Sequence, residues 1–135
     1  MEDLVRWLGQ QLDTDERTAR AATPGPWEQS GIGEYGWGVS FSRPGAGVEV
    51  EDSDQGRADA DFIAEHDPAR VLREIEAKRQ IIARYEFVCQ EAVRLAQNGQ
   101  EHESWVQAGG ALQSVVLCLA AVYVDRDGYK ESWRA

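Results

Sequence analysis

The residues that could bind a metal ion are few in this chain and lie far apart. Cys89, His102 and Cys118 are ligand types that zinc prefers, but structural zinc sites place neighbouring ligands about two to five residues apart. Both cysteines lie within apolar segments, which favours buried, reduced thiols and a reducing compartment. We therefore expect no metal site and no cofactor.

A run of carboxylates near the middle of the chain resembles a calcium-binding loop in composition but not in spacing. An EF-hand loop needs glycine at its sixth position and glutamate at its twelfth. If Asp52 is the first position, the sixth is Arg57 and the twelfth is Ile63. The pattern predicts a solvent-exposed acidic segment and not a calcium site.

Residues suited to acid–base catalysis also lack partners in the sequence. His66 stands beside Asp67, and His102 stands between two glutamates, but no nucleophile or oxyanion motif accompanies either histidine. The glycine-rich segment 31–38 is not followed by a helix, so it lacks the positively polarised helix end that binds phosphate. The sequence predicts a protein that is not an enzyme.

Charges are unevenly distributed along the 135-residue chain, whose net charge is −10. Residues 1–67 hold 15 acidic and 5 basic side chains, whereas residues 68–135 hold 9 of each. The excess peaks at Glu49–Asp67, with eight carboxylates and one basic residue, Arg57. Nucleic acids and anionic membranes attract proteins through Lys and Arg, so we expect neither as a direct partner. The charge pattern favours a protein partner with a basic surface.

The elements that would position these residues begin with an amphipathic helix. Leu4, Leu8 and Leu12 recur at four-residue intervals, which predicts a helix over residues 1–22, before the proline-rich turn. Residues 23–51 predict a three-stranded antiparallel meander whose short strands are joined by glycine-rich turns. The expected strands are Trp27–Ser30, Tyr35–Phe41 and Gly47–Val50.

Large and small side chains alternate along the middle strand. The large ones are Tyr35, Trp37, Val39 and Phe41. Glycine or serine stands between them, so we expect one aromatic face and one nearly bare face. The aromatic face is expected to pack beneath the long helices, because a three-stranded sheet needs cover to be stable. The alternative is that Trp27, Tyr35 and Trp37 line a surface that binds a small molecule or a nucleotide.

The acidic segment is followed by the longest predicted helix. Residues 52–67 predict an acidic loop and a short helix with Phe62 and Ile63 facing inward. Asp67 is placed to cap a helix over residues 68–98, which starts with a proline and ends before a glycine.

A second helix is predicted over residues 101–123, antiparallel to the first because the connecting loop is short. Val115 and Val122 are among the residues expected in its buried stripe. The pair Gly109-Gly110 predicts a kink or a close contact between helices. Residues 124–135 form a tail whose aromatic residues are expected to dock on the body.

Together these elements predict one α+β domain over residues 1–135: an N-terminal helix, a small three-stranded antiparallel meander, then a long antiparallel helical hairpin. The apolar stretch Ala111–Val124 is shorter than the roughly 20 residues that span a bilayer. We expect it to support a homodimer instead. The N-terminal residues lack the features of a secretory signal, which predicts a cytoplasmic protein.

Three motifs carry a resemblance to a known family. They are ARAATPGPW (Ala19–Trp27), DADFIAEHDPARVLREIEAKRQII (Asp59–Ile82) and YVDRDGYKESWRA (Tyr123–Ala135). With these motifs the chain resembles a family of small uncharacterised proteins of actinobacteria and their phages. The resemblance spans most of the chain and implies no catalytic or ligand-binding residue.

The sequence as a whole predicts a non-enzymatic, acidic interaction protein, related to phage or prophage proteins, that binds a basic surface of a host protein, as an inhibitor or a DNA mimic would. The alternative is the small-molecule or nucleotide-binding module that uses the aromatic and glycine-rich sheet. The candidate binding residues are Trp27, Tyr35, Trp37, Glu49, Glu51, Asp52, Asp54, Asp59 and Asp61.

Overall fold

A computed structural model describes residues 1–134 of the chain. In chain order the elements are α1 (Glu2–Ala21), β1 (Glu28–Ile32), β2 (Trp37–Ser40), β3 (Gly47–Glu49), α2 (Asp54–Glu65), α3 (Pro68–Gln97), α4 (Glu103–Ala121) and a short 3₁₀ helix (Glu131–Trp133). The predicted α+β fold, with its N-terminal helix, antiparallel sheet and long helices, is confirmed.

The chain divides into two compact units. One contains residues 14–75, and the other contains residues 1–13 together with the chain from residue 76 onward. The sheet and α2 belong to the first of these units, which we call the sheet unit. All of α4 belongs to the second, which we call the helical unit. The prediction of one domain over residues 1–135 stays a prediction.

The sheet unit contains the predicted meander. The strand order is β1-β2-β3, and both pairs are antiparallel, with an irregularity between Gln29 and Gly31. Helix α2 packs on β1 and β2, and it covers Val39, whose exposed fraction is 1%. We expected the long helices to cover the sheet. That expectation is corrected, because the shorter helix α2 occupies this face with Ala60 fully buried, while Gly56 packs against the backbone of Glu51.

A buried carboxylate joins the segment before the sheet to the start of α3. The backbone N–H of Arg70 donates to Asp67 Oδ1 over 2.9 Å, which is the predicted helix cap, and the N–H of Trp27 donates to Asp67 Oδ2 over 3.0 Å. Burial is the largest influence on this carboxyl and acts to raise its pKa. The backbone donors and the nearby Arg73 guanidinium outweigh burial, so the pKa of Asp67 lies below its ordinary value.

In the helical unit, α3 and α4 run antiparallel, as predicted: Lys78 in the first half of α3 lies over the ring of Tyr123 just after α4, whereas Cys89 later in α3 lies beside Gly109 in the first half of α4. Phe87 meets Trp105 edge to face at 6.1 Å between ring centroids. Gly109 is buried, and a Cβ built on it would lie 3.5 Å from Cys89 Sγ, so the predicted close helix contact is present at this glycine. Helix α4 continues through both glycines without interruption.

The C-terminal segment docks on α1 within the helical unit. The Trp7 ring packs against Tyr129 and Trp133, with centroid distances of 5.8 and 5.2 Å, and its indole N–H donates to the carbonyl of Asp127 over 2.9 Å. Gly128 makes this approach possible, because its φ is +89° and a Cβ there would lie 2.6 Å from Trp7 Nε1. The aromatic residues of the tail therefore complete a core.

Candidate protein-binding surface

Seven exposed carboxylates cluster in sequence on β3, on α2 and in the turn between them. They are Glu49, Glu51, Asp52, Asp54, Asp59, Asp61 and Glu65, and we call this exposed acidic stretch of the chain the acidic surface. The sheet unit has 13 acidic and 6 basic residues, a net charge of −7, whereas the helical unit has 11 and 8, a net charge of −3. Most of the negative charge of the protein therefore belongs to the unit that carries the acidic surface.

The start of α2 decides where these carboxylates lie. Ser53 caps the helix, because its hydroxyl oxygen accepts a hydrogen bond from the N–H of Gly56 over 2.9 Å. Asp54 is then the first helical residue, where a negative charge is favourable at the positive end of the helix dipole. Residues 50–53 alone separate β3 from this helix, and Asp59 and Asp61 lie on the helix, as the sequence predicts.

Local hydrogen bonds hold four of the seven carboxylates in place. Glu49 accepts from the backbone N–H of Tyr35 at 2.8 Å, Glu51 from the Ser53 hydroxyl at 2.7 Å, Asp59 from Gln55 at 2.9 Å and Asp61 from Gln29 at 3.0 Å. Each carboxylate remains exposed, so it has further lone pairs available to a partner. The surface is therefore partly ordered before any partner binds.

One basic residue lies among the carboxylates, and an aromatic ring holds it. The guanidinium of Arg57 lies over the ring of Trp37, 5.1 Å from the ring centroid. A cation–π contact of this kind holds the Arg57 side chain of α2 against Trp37 of β2. Trp37 is half-buried beneath it.

Phe62 is exposed on α2, between Asp61 and Glu65 of the acidic surface in sequence, which sequence reasoning missed. Its exposed fraction is 65%, and its ring stacks on His66 at a centroid distance of 4.0 Å. We predicted that Phe62 faces inward. The prediction is wrong because Ala60 faces the sheet, and two further residues turn the helix by about 200°. The signal that could have found it is the pair of small residues Gly56 and Ala60, spaced four apart.

The candidate aromatic residues do not form one face. Trp27 stacks on Phe41 at 4.0 Å, and its indole N–H donates to the carbonyl of Thr23 over 2.9 Å. Tyr35 lies in the turn before β2 and has an exposed fraction of 76%. The predicted continuous aromatic face is therefore wrong, because β2 is shorter than predicted and includes only Trp37 of these aromatic residues.

The bare face of the sheet is an open, shallow depression of about 730 Å³. Its lining includes Ser30, Tyr35, Gly38, Ser40, Gly47 and Glu49. A Cβ on Gly38 would lie 2.5 Å from the hydroxyl oxygen of Ser30, so the glycine leaves room for that serine to lie across the strand. This face has hydroxyls, one carboxylate and one exposed ring, and it is the remaining candidate for a small ligand.

The helical unit has a second depression, of about 460 Å³, between the start of α1 and the middle of α3. Tyr85 and Cys89 line it together with Arg6. Burial, followed by a hydrogen bond with Cys89, raises the pKa of Tyr85 to about 12. The phenol therefore stays protonated near neutral pH and acts there as a hydrogen-bonding core residue.

The possible metal ligands lie apart. Within residues 1–134, no three His, Cys, Asp or Glu side chains come together in a way that could hold a metal ion. His102 stands at the start of α4, where its Nδ1 lies 3.0 Å from the carbonyl oxygen of Gln100. Cys89 is half-buried, but Cys118 is exposed, which corrects the prediction that both thiols are buried. The reason is that Val116 faces the core and Cys118 lies about 200° farther around the helix.

Comparisons with known proteins give one match. No curated protein and no solved structure matches the chain. The resemblance to a family of uncharacterised proteins is confirmed by a family model that covers the whole sequence. The chain belongs to the family of unknown function DUF6221, whose model matches residues 1–135.

Proposed function

We propose that this protein is a non-enzymatic interaction protein and that its acidic surface binds a basic surface of another protein. The observation that carries the proposal is the concentration of seven exposed carboxylates between Glu49 and Glu65. The single basic residue in that range, Arg57, is engaged with Trp37. Such a field attracts cationic proteins and repels nucleic acids and anionic membranes.

Phe62 supports the proposal because it adds an apolar contact to the charges. Exposed charges raise the rate of association and select partners by sign, but they contribute little affinity individually. A central aromatic residue that enters a pocket of the partner commonly supplies much of the binding energy. Phe62 is 65% exposed on α2, with carboxylates before and after it in the helix.

The sequence motifs favour a particular biological setting for this activity. The resemblance to proteins of actinobacteria and their phages points to a phage or prophage protein that acts in the cytoplasm on a host protein. A host protein that normally binds DNA has the required basic surface, so inhibition by DNA mimicry is one form of the proposal.

Charge reversal with a matched control tests the proposal. One variant carries Glu49, Glu51, Asp52 and Asp54 changed to Lys, and the control carries Glu76, Glu86, Glu101 and Glu103 changed to Lys. Both have the same net charge, so only the location differs. Pull-down from an actinobacterial lysate, followed by titration of the captured partner in purified form, should show binding lost in the first variant and kept in the control. Equal binding by the two variants contradicts the proposal.

The bare sheet face supports a second candidate function, the binding of a small molecule or nucleotide next to Tyr35. The supporting observation is the 730 Å³ depression with its exposed tyrosine ring. A ligand at about 100 times its dissociation constant stabilises a protein by about 2.7 kcal/mol, which thermal denaturation detects. Screening with nucleotides should then give a shift that Tyr35→Ala removes. The absence of any shift argues against this function.

A further inference from the structure

The exposed side of α4 carries a row of uncharged side chains, most of them small. We call the row the α4 seam, and it consists of Gln107, Ala111, Ser114, Cys118 and Ala121, all of which are exposed. Successive members are separated by four, three, four and three residues. This is the spacing that places side chains along one helix edge in coiled coils, where a second helix packs against them.

The surroundings of the seam are apolar and uncharged. No acidic, basic or histidine residue occurs from Ser104 to Val124, although 28% of the whole chain is charged. Val115 and Val122, which we expected in the core, are instead 42% and 60% exposed beside the seam. A helix face that stays in water normally carries charges at such positions. This face has the composition of a surface that is covered.

We propose that a second copy of this chain covers the α4 seam, forming a two-fold dimer in which the two α4 helices pack antiparallel. Each copy has a net charge of −10, so the uncharged face is where two copies can approach with the least repulsion. The small side chains on both helices let the axes come close, and a two-fold interface requires such a self-complementary surface.

The antiparallel orientation follows from the charges at the helix ends. In a parallel pair, Glu101 and Glu103 of one copy face the same residues of the other, and the two helix dipoles point the same way. In the antiparallel pair each helix start lies beside a helix end, so the dipoles attract. Ser114, at the middle of the seam, then faces Ser114 of the second copy.

A membrane is the other occupant that this helix could have. Among the described residues, α4 is long and apolar enough to cross a bilayer, with a mean hydropathy of 1.3. Yet Val116 and Ala120 are fully buried inside the helical unit, so crossing would require the helix to leave its own core. The net charge also opposes contact with an anionic leaflet. The observations therefore favour the second copy.

Light scattering on the full chain tests the dimer. The expected mass at micromolar concentration is twice the 15.1 kDa of one chain. Ser114→Glu should weaken dimerisation by about tenfold or more, because two negative charges would be buried against each other. Ala77→Glu adds the same charge at an exposed position of α3 and should leave the dimer intact. Circular dichroism checks that both variants remain folded.

Cross-linking tests the orientation. In a Cys118→Ser background, Ser114→Cys should form an intermolecular disulfide under mild oxidation, since the two positions meet at the dimer axis. A monomer at all concentrations, a dimer that Ser114→Glu does not weaken, or failure of the Ser114→Cys cross-link overturns the proposal. Stable binding of the monomer to phospholipid vesicles also overturns it, in favour of the membrane.

Discussion

Asp67 connects two of the motifs on which the resemblance to the family rests, Ala19–Trp27 and Asp59–Ile82. Its two carboxylate oxygens accept hydrogen bonds from Arg70 at the start of α3 and from Trp27 at the end of the proline-rich segment. Gly25 belongs to the same contact, because a Cβ there would lie 2.4 Å from Asp67 Oδ2. These two motifs, far apart in sequence, are thus explained by one buried carboxylate without reference to a ligand.

Asp67→Ala should destabilise the protein by about 2–4 kcal/mol, since it removes a helix cap and leaves the N–H of Trp27 without its acceptor. Asp67→Asn should cost less, because the amide oxygen can accept one of the two hydrogen bonds. Denaturant unfolding measures both. Asp61→Ala, which removes an exposed carboxylate from α2, is the control, and equal effects of Asp61→Ala and Asp67→Ala would contradict the assignment.

The same carboxylate gives a pH dependence of defined sign. The pKa of Asp67 is lower in the folded protein than its ordinary value of 3.8, so ionisation favours the folded state. This contribution is complete above the ordinary pKa and is lost as the pH falls through the lower folded value. The difference in the free energy of unfolding between wild type and Asp67→Asn should therefore shrink below about pH 4. A difference that stays constant to pH 2 would exclude this role.

Among the elements, those set by local signals were predictable from sequence. The bounds of α1, α3 and α4 agree with prediction to within two residues, because apolar spacing and the neighbouring prolines and glycines determine them. The side that α2 buries was not predictable in this way. Phe62 is the largest side chain of that helix, yet the buried residues are Gly56 and Ala60, and a Cβ on Gly56 would lie 1.8 Å from the carbonyl oxygen of Glu51.

The exposure of the candidate binding residues was predictable in part, where it depends on local signals and not on contacts between distant segments. Charge is read directly from composition, so the exposed carboxylates of the acidic surface were found. Trp37 and Tyr35 were expected on one face, but their placement depends on where the strand begins. That boundary is set by Gly36, where a Cβ would lie 1.7 Å from the carbonyl oxygen of Val50. This contact forms only when the hairpin closes, so no local pattern reveals it.

Two glycines of the helical unit should respond in opposite ways to the same substitution. Gly9 lies inside α1 with nothing within 4 Å of a built Cβ, so Gly9→Ala should stabilise the protein by about 0.5–1 kcal/mol. Gly128→Ala should destabilise it by about 1–3 kcal/mol, because alanine is strained at positive φ and would displace Trp7. Thermal unfolding measures both, and effects of the same sign would contradict the docking of the C-terminal segment on α1.

At the scale of the whole molecule, the two compact units differ in net charge. The net charge of the sheet unit is −7 and that of the helical unit is −3. Seven of the 13 acidic residues of the sheet unit belong to the acidic surface. Two unit charges about 10 Å apart in water repel by about 0.4 kcal/mol. Mutual repulsion of the seven carboxylates therefore lowers the free energy of unfolding of the sheet unit. Such a loss of stability is expected where a surface serves binding and not where it serves stability alone.

Salt should relieve that cost. Raising ionic strength from about 0.01 M to about 0.15 M shortens the screening length from about 30 Å to about 8 Å, which should raise the free energy of unfolding of the wild type by about 1 kcal/mol. The variant with Glu49, Glu51, Asp52 and Asp54 changed to Lys should lose most of this gain. The matched variant with Glu76, Glu86, Glu101 and Glu103 changed to Lys has the same net charge and should keep more of it. If both variants lose this salt-dependent gain in stability equally, the net charge of the protein alone accounts for the repulsion. The location of the carboxylates in the acidic surface would then have no effect, which would contradict the proposal.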